Sequence, residues 1–315
     1  MSATVGHELT FADVEAAAAR IGDRIRPVVV APTDSPTLWF ALEFLQHTGT
    51  FKARGALNFL RWHRDRDALP EAGVTIASGG NAGLACAWAA RAHGVTATVF
   101  LPANAPAVKV DRLRDYGARV RLVGVEYAEA LAACREYAET SGALMSHAYD
   151  HPLVAAGAGT LMSEIHRQLP DLDTVVVAVG GGGLFAGVAT AARRFGVRTV
   201  AVEPWNCRAL AAALAAGRPV DVEVDSVAAD SPGARRATAL AVAAADPAYT
   251  RSVLVRDEEI RAARRMMWAR HRIAVENGAA TAVAAVADPD RGYRAEPGER
   301  VCVVLCGANT DPADL

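Results

Sequence analysis

Twice in this chain a short apolar strand runs into a glycine-rich turn and straight on into a helix. The first instance is Val74–Ala77, the turn Ser78-Gly79-Gly80-Asn81-Ala82-Gly83, and a helix over Leu84–His93. The second is Thr174–Val179, the turn Gly180-Gly181-Gly182-Gly183, and a helix from Leu184 to Phe195. Strands apolar on both faces must be covered on both, and a helix after each strand supplies that cover. Further strands are predicted at 95–101, 119–123, 143–146, 197–203, 252–255 and 300–305. Helices are predicted between them at 106–116, 126–140, 152–168, 207–216, 234–245, 257–270 and 278–287. The fold class is therefore α/β, with open twisted, mostly parallel sheets flanked by helices. Ahead of this pattern, residues 10–24 read as a helix capped by Thr10. Pro27, Pro32 and Pro36 punctuate a loop, Leu38–Leu45 reads as a strand, and 53–63 as a helix.

A chain of 315 residues accommodates about two domains. The strand pattern divides it into a small domain, residues 71–147, and a large one made of 1–70 together with 148–315. Composition removes whole classes of partner. With 52% hydrophobic and 22% charged residues and a net charge of −2, nothing predicts disorder, a nucleic-acid footprint or attraction to an anionic membrane. The sequence holds no apolar run of membrane-spanning length, and its start does not read as a signal peptide. Cys86, Cys134, Cys207, Cys302 and Cys306 are scattered, without a CxxC pair. They predict a reducing cytoplasm and no metal ligand set.

Four features carry chemistry. Gly180–Gly183 exposes backbone N–H groups at the start of a helix, which makes an anion cradle suited to phosphate. Neither a GKS/T nor a GxGxxG pattern accompanies it, so a nucleotide loop is not the reading. Ser78–Gly83 is a second nest of N–H groups, with Ser78 and Asn81 as polar handles, suited to a carboxylate. Lys52 is one of two lysines among 33 Lys+Arg residues, the other being Lys109. A partly desolvated lysine can act as nucleophile or base, which arginine cannot. The plainer reading of Thr48-Gly49-Thr50-Phe51-Lys52 is a helix start capped by Thr48 or Thr50, with a solvated lysine in the first turn. Cys306 ends the last strand, where side chains face ligands in open α/β sheets; a buried core thiol is the commoner use. Taken together, these features fit pyridoxal phosphate: an aldehyde for the lysine, a phosphate for the glycine turn, and a ring that accepts electrons.

From Pro27 to Asp311 the chain resembles the fold-type II pyridoxal-phosphate enzymes, whose two-domain fold is like that of the tryptophan synthase β chain. Within them it is most similar to the serine/threonine dehydratases. The resemblance rests on Glu43…Gln46-His-Thr-Gly-Thr-Phe-Lys52-Ala-Arg-Gly-Ala56, on Ser78-Gly-Gly-Asn-Ala-Gly83, and on Leu101-Pro102…Pro106…Lys109…Tyr116-Gly117-Ala118. It is carried further by His151-Pro152…Ala156-Gly-Ala-Gly-Thr160, Val179-Gly-Gly-Gly-Gly-Leu-Phe-Ala-Gly187, Val202-Glu203-Pro204 and Cys306-Gly-Ala-Asn309. It implies a cofactor set of Phe51, Lys52, Asn81, Gly180, Gly181, Gly182, Gly183, Leu184 and Cys306, with the cofactor in the cleft between domains. Substrate would bind at Ser78, Gly79, Gly80, Asn81 and Ala82, and Lys52 would be the catalytic residue.

The implied activity is β-elimination of L-threonine or L-serine to a 2-oxo acid and ammonia, in a cytoplasmic homodimer. Alternatives on the same fold are dehydratases of 3-hydroxyaspartate or phenylserine, serine racemase, and β-replacement enzymes of the cysteine-synthase kind; a non-catalytic amino-acid sensor is a separate class. Three departures bear on these. Gly79 stands where related serine racemases carry a serine that serves as the second base, which favours elimination. Cys207-Arg208-Ala209, following Glu203, lacks an acidic residue that helps bind a divalent ion in some relatives, so no metal is expected. Ala308 and Asn277 replace a usual glycine and proline.

Overall fold

The computed structural model describes residues 8–231, 233–288, 290–311 and 313. The chain opens with helix α1 (Phe11–Ile21), started by a reciprocal cap: the Thr10 hydroxyl accepts from the Asp13 N–H while the Asp13 carboxylate accepts from the Thr10 N–H. Strands β1 (Val30–Pro32) and β2 (Leu38–Ala41) form an antiparallel pair. Helix α2 (Lys52–Arg64) follows. A first group of alternating elements comprises β3 (Val74–Ala77), α3 (Asn81–Ala92), β4 (Ala97–Leu101), α4 (Ala107–Asp115), β5 (Arg119–Leu122), α5 (Tyr127–Ser141) and β6 (Leu144–Met145). A second comprises α6 (Pro152–Gln168), β7 (Thr174–Ala178), α7 (Gly183–Arg194), β8 (Arg198–Pro204), α8 (Ala209–Ala216) and α9 (Ala239–Ala244). It ends with β9 (Thr250–Val255), α10 (Asp257–Met266), α11 (Asn277–Ala287) and β10 (Val301–Val304).

The strands make two sheets, a six-stranded one in the order β1-β2-β10-β7-β8-β9 and a four-stranded one in the order β5-β4-β3-β6. Every pairing is parallel except β1 with β2. The centre of the large sheet is dry: Val175, Val176, Val177, Val303 and Val304 have no exposed surface. Each such side chain contributes about 1.5–3 kcal/mol on burial. The small sheet is buried along β3 and β4, and its edge strand β5 carries Arg119 and Arg121, charges that discourage edge-to-edge pairing. The parallel strands β2, β10, β7 and β8 all point their carboxyl ends to one side. The lysine loop, Cys306, the glycine turn and Glu203 therefore meet along one edge.

Helices α2, α6 and α7 pack backbone to backbone. A Cβ at Gly55 would lie 2.7 Å from the Val154 carbonyl, at Gly157 2.7 Å from that of Arg54, and at Gly187 2.1 Å from that of Ala155. Only glycine allows main chains this near. Three predicted elements differ from the structure. The strand expected over Leu38–Leu45 stops at Ala41, because residues Glu43–Leu45 wind into a 3-10 turn that buries the Glu43 carboxylate against Arg54. The helix expected at 234–245 shrinks to Ala239–Ala244, started by the Thr238 hydroxyl. The loop expected around Pro32 contains β1, with its proline in the outermost strand, where a missing N–H is tolerated.

Candidate active site

The lysine loop is anchored from below by its own helix. Arg54, fully buried two residues after Lys52, donates to Glu43 through Nε (2.6 Å) and Nη2 (3.0 Å), to Glu164 through Nη1 (2.7 Å) and Nη2 (2.9 Å), and to Thr160 through Nη1 (3.0 Å). This fork geometry suits two carboxylates at once. Burial alone would lower the Arg54 pKa, but the two carboxylates outweigh it and raise it, so the guanidinium stays charged. Above the anchor, Thr48 adopts the left-handed region (φ 63°) and its buried hydroxyl finds no hydrogen-bond partner. Such a conformation in a β-branched residue costs on the order of 1–3 kcal/mol and persists only when its surroundings enforce it. The enforcing contacts come from the chain end: Phe51 N–H donates to the Cys306 carbonyl (3.0 Å), and Ala308 N–H to that of Gly49 (3.0 Å).

Lys52 sits in the first turn of α2, with the Thr50 hydroxyl 3.4 Å from its N–H. The plainer reading of this stretch holds for the helix start but not for its cap, which is Phe51 with no side-chain cap bond rather than Thr48 or Thr50, nor for solvation. The Lys52 amine points inward, donates to the Ala148 carbonyl at 2.7 Å, and lies 4.9 Å from the Phe51 ring centroid. Burial lowers its pKa to about 8, against the opposing pull of Cys306 and Glu276. Lys52 lines a narrow cavity with Phe51, Ala148, Tyr149, Gly183 and Leu184. Tyr149, to which no role was assigned from sequence, has its ring centroid 5.8 Å from the Lys52 amine.

The glycine turn is boxed in. A Cβ at Gly181 would come within 2.3 Å of the Tyr149 ring, and one at Gly183 within 2.7 Å of the Tyr149 carbonyl. Gly182 has φ +98°, and a Cβ there would meet Ala241 at 2.3 Å. The Gly181 carbonyl is further held by the Thr238 N–H (2.9 Å). The turn is thereby fixed with its free N–H groups at the N-terminus of α7.

The second loop faces a larger cleft of about 140 Å³, lined by Gly79, Gly80, Asn81, Ser231, Glu276 and Asn309 among others. Ser78 stays outside it, its hydroxyl 3.4 Å from the Gly80 N–H, and Ala82 packs against the small-sheet core. The Asn81 amide donates to both Glu276 oxygens (3.1 and 3.0 Å) and accepts from Asn309 Nδ2 (2.8 Å). Glu276 also accepts from Ser231 (2.9 Å), and burial raises its pKa. The sequence signal that marks Glu276 is slight, a lone acid before an alanine-rich helix. Cys306 lies under this carboxylate, and burial pushes its thiol well above the usual range, so it is neutral. Glu203 accepts from the N–H groups of Leu210 (2.7 Å) and Ala211 (2.8 Å); its carboxylate is used at the start of α8.

The structure thus defines a class: an α/β protein with two parallel-dominated sheets, a half-buried, inward-pointing lysine of lowered pKa beside a glycine-lined helix start, and a second N–H nest across the cleft. The chain belongs to the pyridoxal-phosphate dependent enzymes, whose family model matches residues 24–307. It is 39% identical over 276 residues to the L-threonine ammonia-lyase of Geobacter sulfurreducens, covering 87% of this chain and 67% of that protein. Among solved structures, the processed form of threonine deaminase isoform 2 from Solanum lycopersicum superposes with a TM-score of 0.89 at 28% identity, over 99% of this chain and 94% of that one. Maize serine racemase also gives 0.89, at 27% identity over 98% and 95%.

The residues present fit the family's cofactor. A neutralisable amine and Gly183, the last glycine of the turn, line one cavity. An added Cβ at Gly181, Gly182 or Gly183 would collide with Tyr149 or Ala241, and an uncharged thiol stands close by. Among the described residues, no helix is long and apolar enough to cross a membrane.

Proposed function

We propose that this protein is a lyase that eliminates the β-hydroxyl of L-threonine or L-serine, releasing a 2-oxo acid and ammonia. The observation that carries the reading is the Lys52 amine, held inward with a pKa of about 8 in the cavity it shares with Gly183 and Leu184. Bound pyridoxal phosphate supplies an aldehyde that joins an amine and a ring that accepts the electron pair left at Cα.

The chain's residues do the rest. The N–H groups of Gly180–Gly183 and Leu184 hold the phosphate at the start of α7, and Phe51 walls the cavity beside the lysine. The N–H groups of Gly79–Ala82, at the start of α3, hold the substrate carboxylate, and Asn81 faces the cofactor ring from the same loop. Lys52, close to half neutral near pH 8, takes the proton from Cα. The β-hydroxyl then leaves as water by taking up one proton, which balances the one Lys52 removes from Cα, and the unsaturated amine that remains adds water to give the 2-oxo acid and ammonia. Cys306, a neutral thiol, would offer the bound ring an uncharged neighbour, which suits elimination, where a leaving group rather than a strong electron sink drives the step.

Racemisation on the same scaffold requires a second acid–base group on the opposite face of Cα. Gly79 offers none, and this favours the lyase reading over the racemase one. The working unit is a cytoplasmic homodimer of two-domain protomers, with residues 71–147 as the small domain and 1–70 plus 148–315 as the large one. The five cysteines, all free and buried, accord with a reducing compartment.

The test is ammonia release over L-threonine, L-serine, 3-hydroxyaspartate and phenylserine, with Lys52→Ala alongside. Turnover of threonine or serine is expected in the parent enzyme. Both turnover and borohydride-trapped cofactor are expected to vanish in Lys52→Ala. Cofactor still trapped on that variant would place the anchor at Lys109 or the N-terminus, and no ammonia from any substrate would refute the lyase.

A further inference from the structure

We infer that Arg112, an exposed residue of α4 with no place in the chemistry above, is a positioning residue that locks the lysine loop and the carboxylate loop into register when the small domain closes. Arg112 Nη2 donates to Asn309 Oδ1 at 2.5 Å. Asn309 is a junction: its Nδ2 donates to the Thr48 carbonyl and to Asn81 Oδ1, both at 2.8 Å. The three contacts use the amide's oxygen and both of its N–H bonds. They also fix its orientation, since a flipped amide would turn its NH2 toward a guanidinium.

What Asn309 holds gives the contact its meaning. On one side it grips the peptide of Thr48, the left-handed residue whose hydroxyl is unpartnered, four positions before Lys52. It also abuts Gly49, where a Cβ would lie 2.9 Å from Oδ1. On the other side it sets Asn81, whose remaining partners are the Glu276 oxygens. One side chain from the large domain therefore holds a strained turn and the substrate loop together, and Arg112 is the small-domain residue that pulls on it.

The location on the molecule agrees. Leu57 and Leu60 of α2 share a buried core with Ile76, Leu84 and Ala87 of the small domain, which makes that side the fixed one. The 140 Å³ cleft opens on the other side, between Gly79–Asn81, Lys109 and Arg112 on one wall and Ser231, Glu276 and Asn309 on the other. Arg112 spans that opening. A contact that bridges the two walls favours the arrangement seen here over any in which they part, by its differential free energy. Substrate held between the walls draws on the same equilibrium.

The experiment compares the holoenzyme with Arg112→Met, Arg112→Lys and, as a neighbouring control, Arg114→Met; Arg114 pairs with Asp111 on the exposed face of α4. Amide hydrogen exchange without substrate is expected to quicken about fivefold in Arg112→Met within residues 48–52 and 78–83 and nowhere else. KM is expected to rise about five- to tenfold with kcat within about twofold, Arg112→Lys to restore part of both, and Arg114→Met to change neither. Unchanged exchange and KM in Arg112→Met would overturn the inference. So would faster exchange across the whole chain, or an equal effect from Arg114→Met. The exchange measurement needs no substrate, so it stands apart from the outcome of the lyase assay.

Discussion

The two glycine loops begin alike, each a buried strand running into a helix, and differ in how completely they are enclosed. At Gly181, Gly182 and Gly183 an added Cβ would collide with Tyr149 or Ala241. In the 78–83 loop an added Cβ would also collide at Gly79 (Leu101 Cδ2, 2.1 Å) and at Gly83 (Ser78 carbonyl, 1.9 Å). At Gly80, however, it would meet nothing within 4 Å among the described residues, and residues 78–82 are partly exposed along a 140 Å³ cleft. On the proposed reading, the tighter turn suits a group that stays and the more open loop one that comes and goes. The same backbone chemistry, N–H groups at a helix start, serves both; rigidity is what differs.

Paired alanine substitutions break or sharpen that contrast most strongly. Gly181→Ala should weaken pyridoxal-phosphate binding about thirtyfold or more, because the Tyr149 ring sits 2.3 Å from the new methyl. Gly80→Ala should leave cofactor affinity unchanged and shift KM by less than about threefold. Equilibrium binding by fluorescence reads both, and equal losses would erase the distinction. Gly79→Ser probes the open loop next. In deuterated water the parent should form pyruvate from L-serine with little D-serine. The added Cβ lies 2.1 Å from Leu101 Cδ2, so racemisation should grow more in Gly79→Ser/Leu101→Ala than in the single variant. D-serine formed by the parent as fast as pyruvate would locate the second base elsewhere.

The fixed side has its own pH signature. Recombination of apoenzyme with pyridoxal phosphate should accelerate as pH rises through about 8 and level off above it, since the neutral amine is the attacking form. A midpoint near the ordinary lysine value of about 10.4 would place that amine in water. A modest effect belongs to Cys306→Ser, which keeps a neutral hydrogen-bonding neighbour. Elimination should survive within about tenfold, or roughly 1.4 kcal/mol. Abolished turnover with an unaltered cofactor spectrum would assign the thiol a chemical role.

Much of this was legible in the chain. Thr174–Val179 and the strand expected at 300–305 are largely apolar, so both read as strands covered on two faces; a lysine nearly alone among arginines pointed to Lys52, whose amine the structure turns inward. What escaped depends on partners distant in sequence. Glu43 looked like a strand residue because nothing nearby announces that Arg54 will take its carboxylate and bend the chain. Tyr149 carries no local pattern, and its placement follows from α6 and α7 meeting beside the glycine turn. Arg112 reads as one more surface arginine until Asn309, 197 positions later, is brought beneath it. The β1 strand was hidden by its prolines, which an outermost strand tolerates.

The close approach of α2, α6 and α7 makes the span from lysine to glycine turn a gauge cut into the main chain. Side chains that set a distance can be repacked, but at Gly55, Gly157 and Gly187 there is none to change, and any Cβ forces the helices apart. The molecule therefore measures the length of what it holds. On the proposed reading, a cofactor analogue with one extra carbon between ring and phosphate is expected to bind more weakly than pyridoxal phosphate, even with every recognising group intact. No substitution confined to the rim of the cleft is expected to restore its binding.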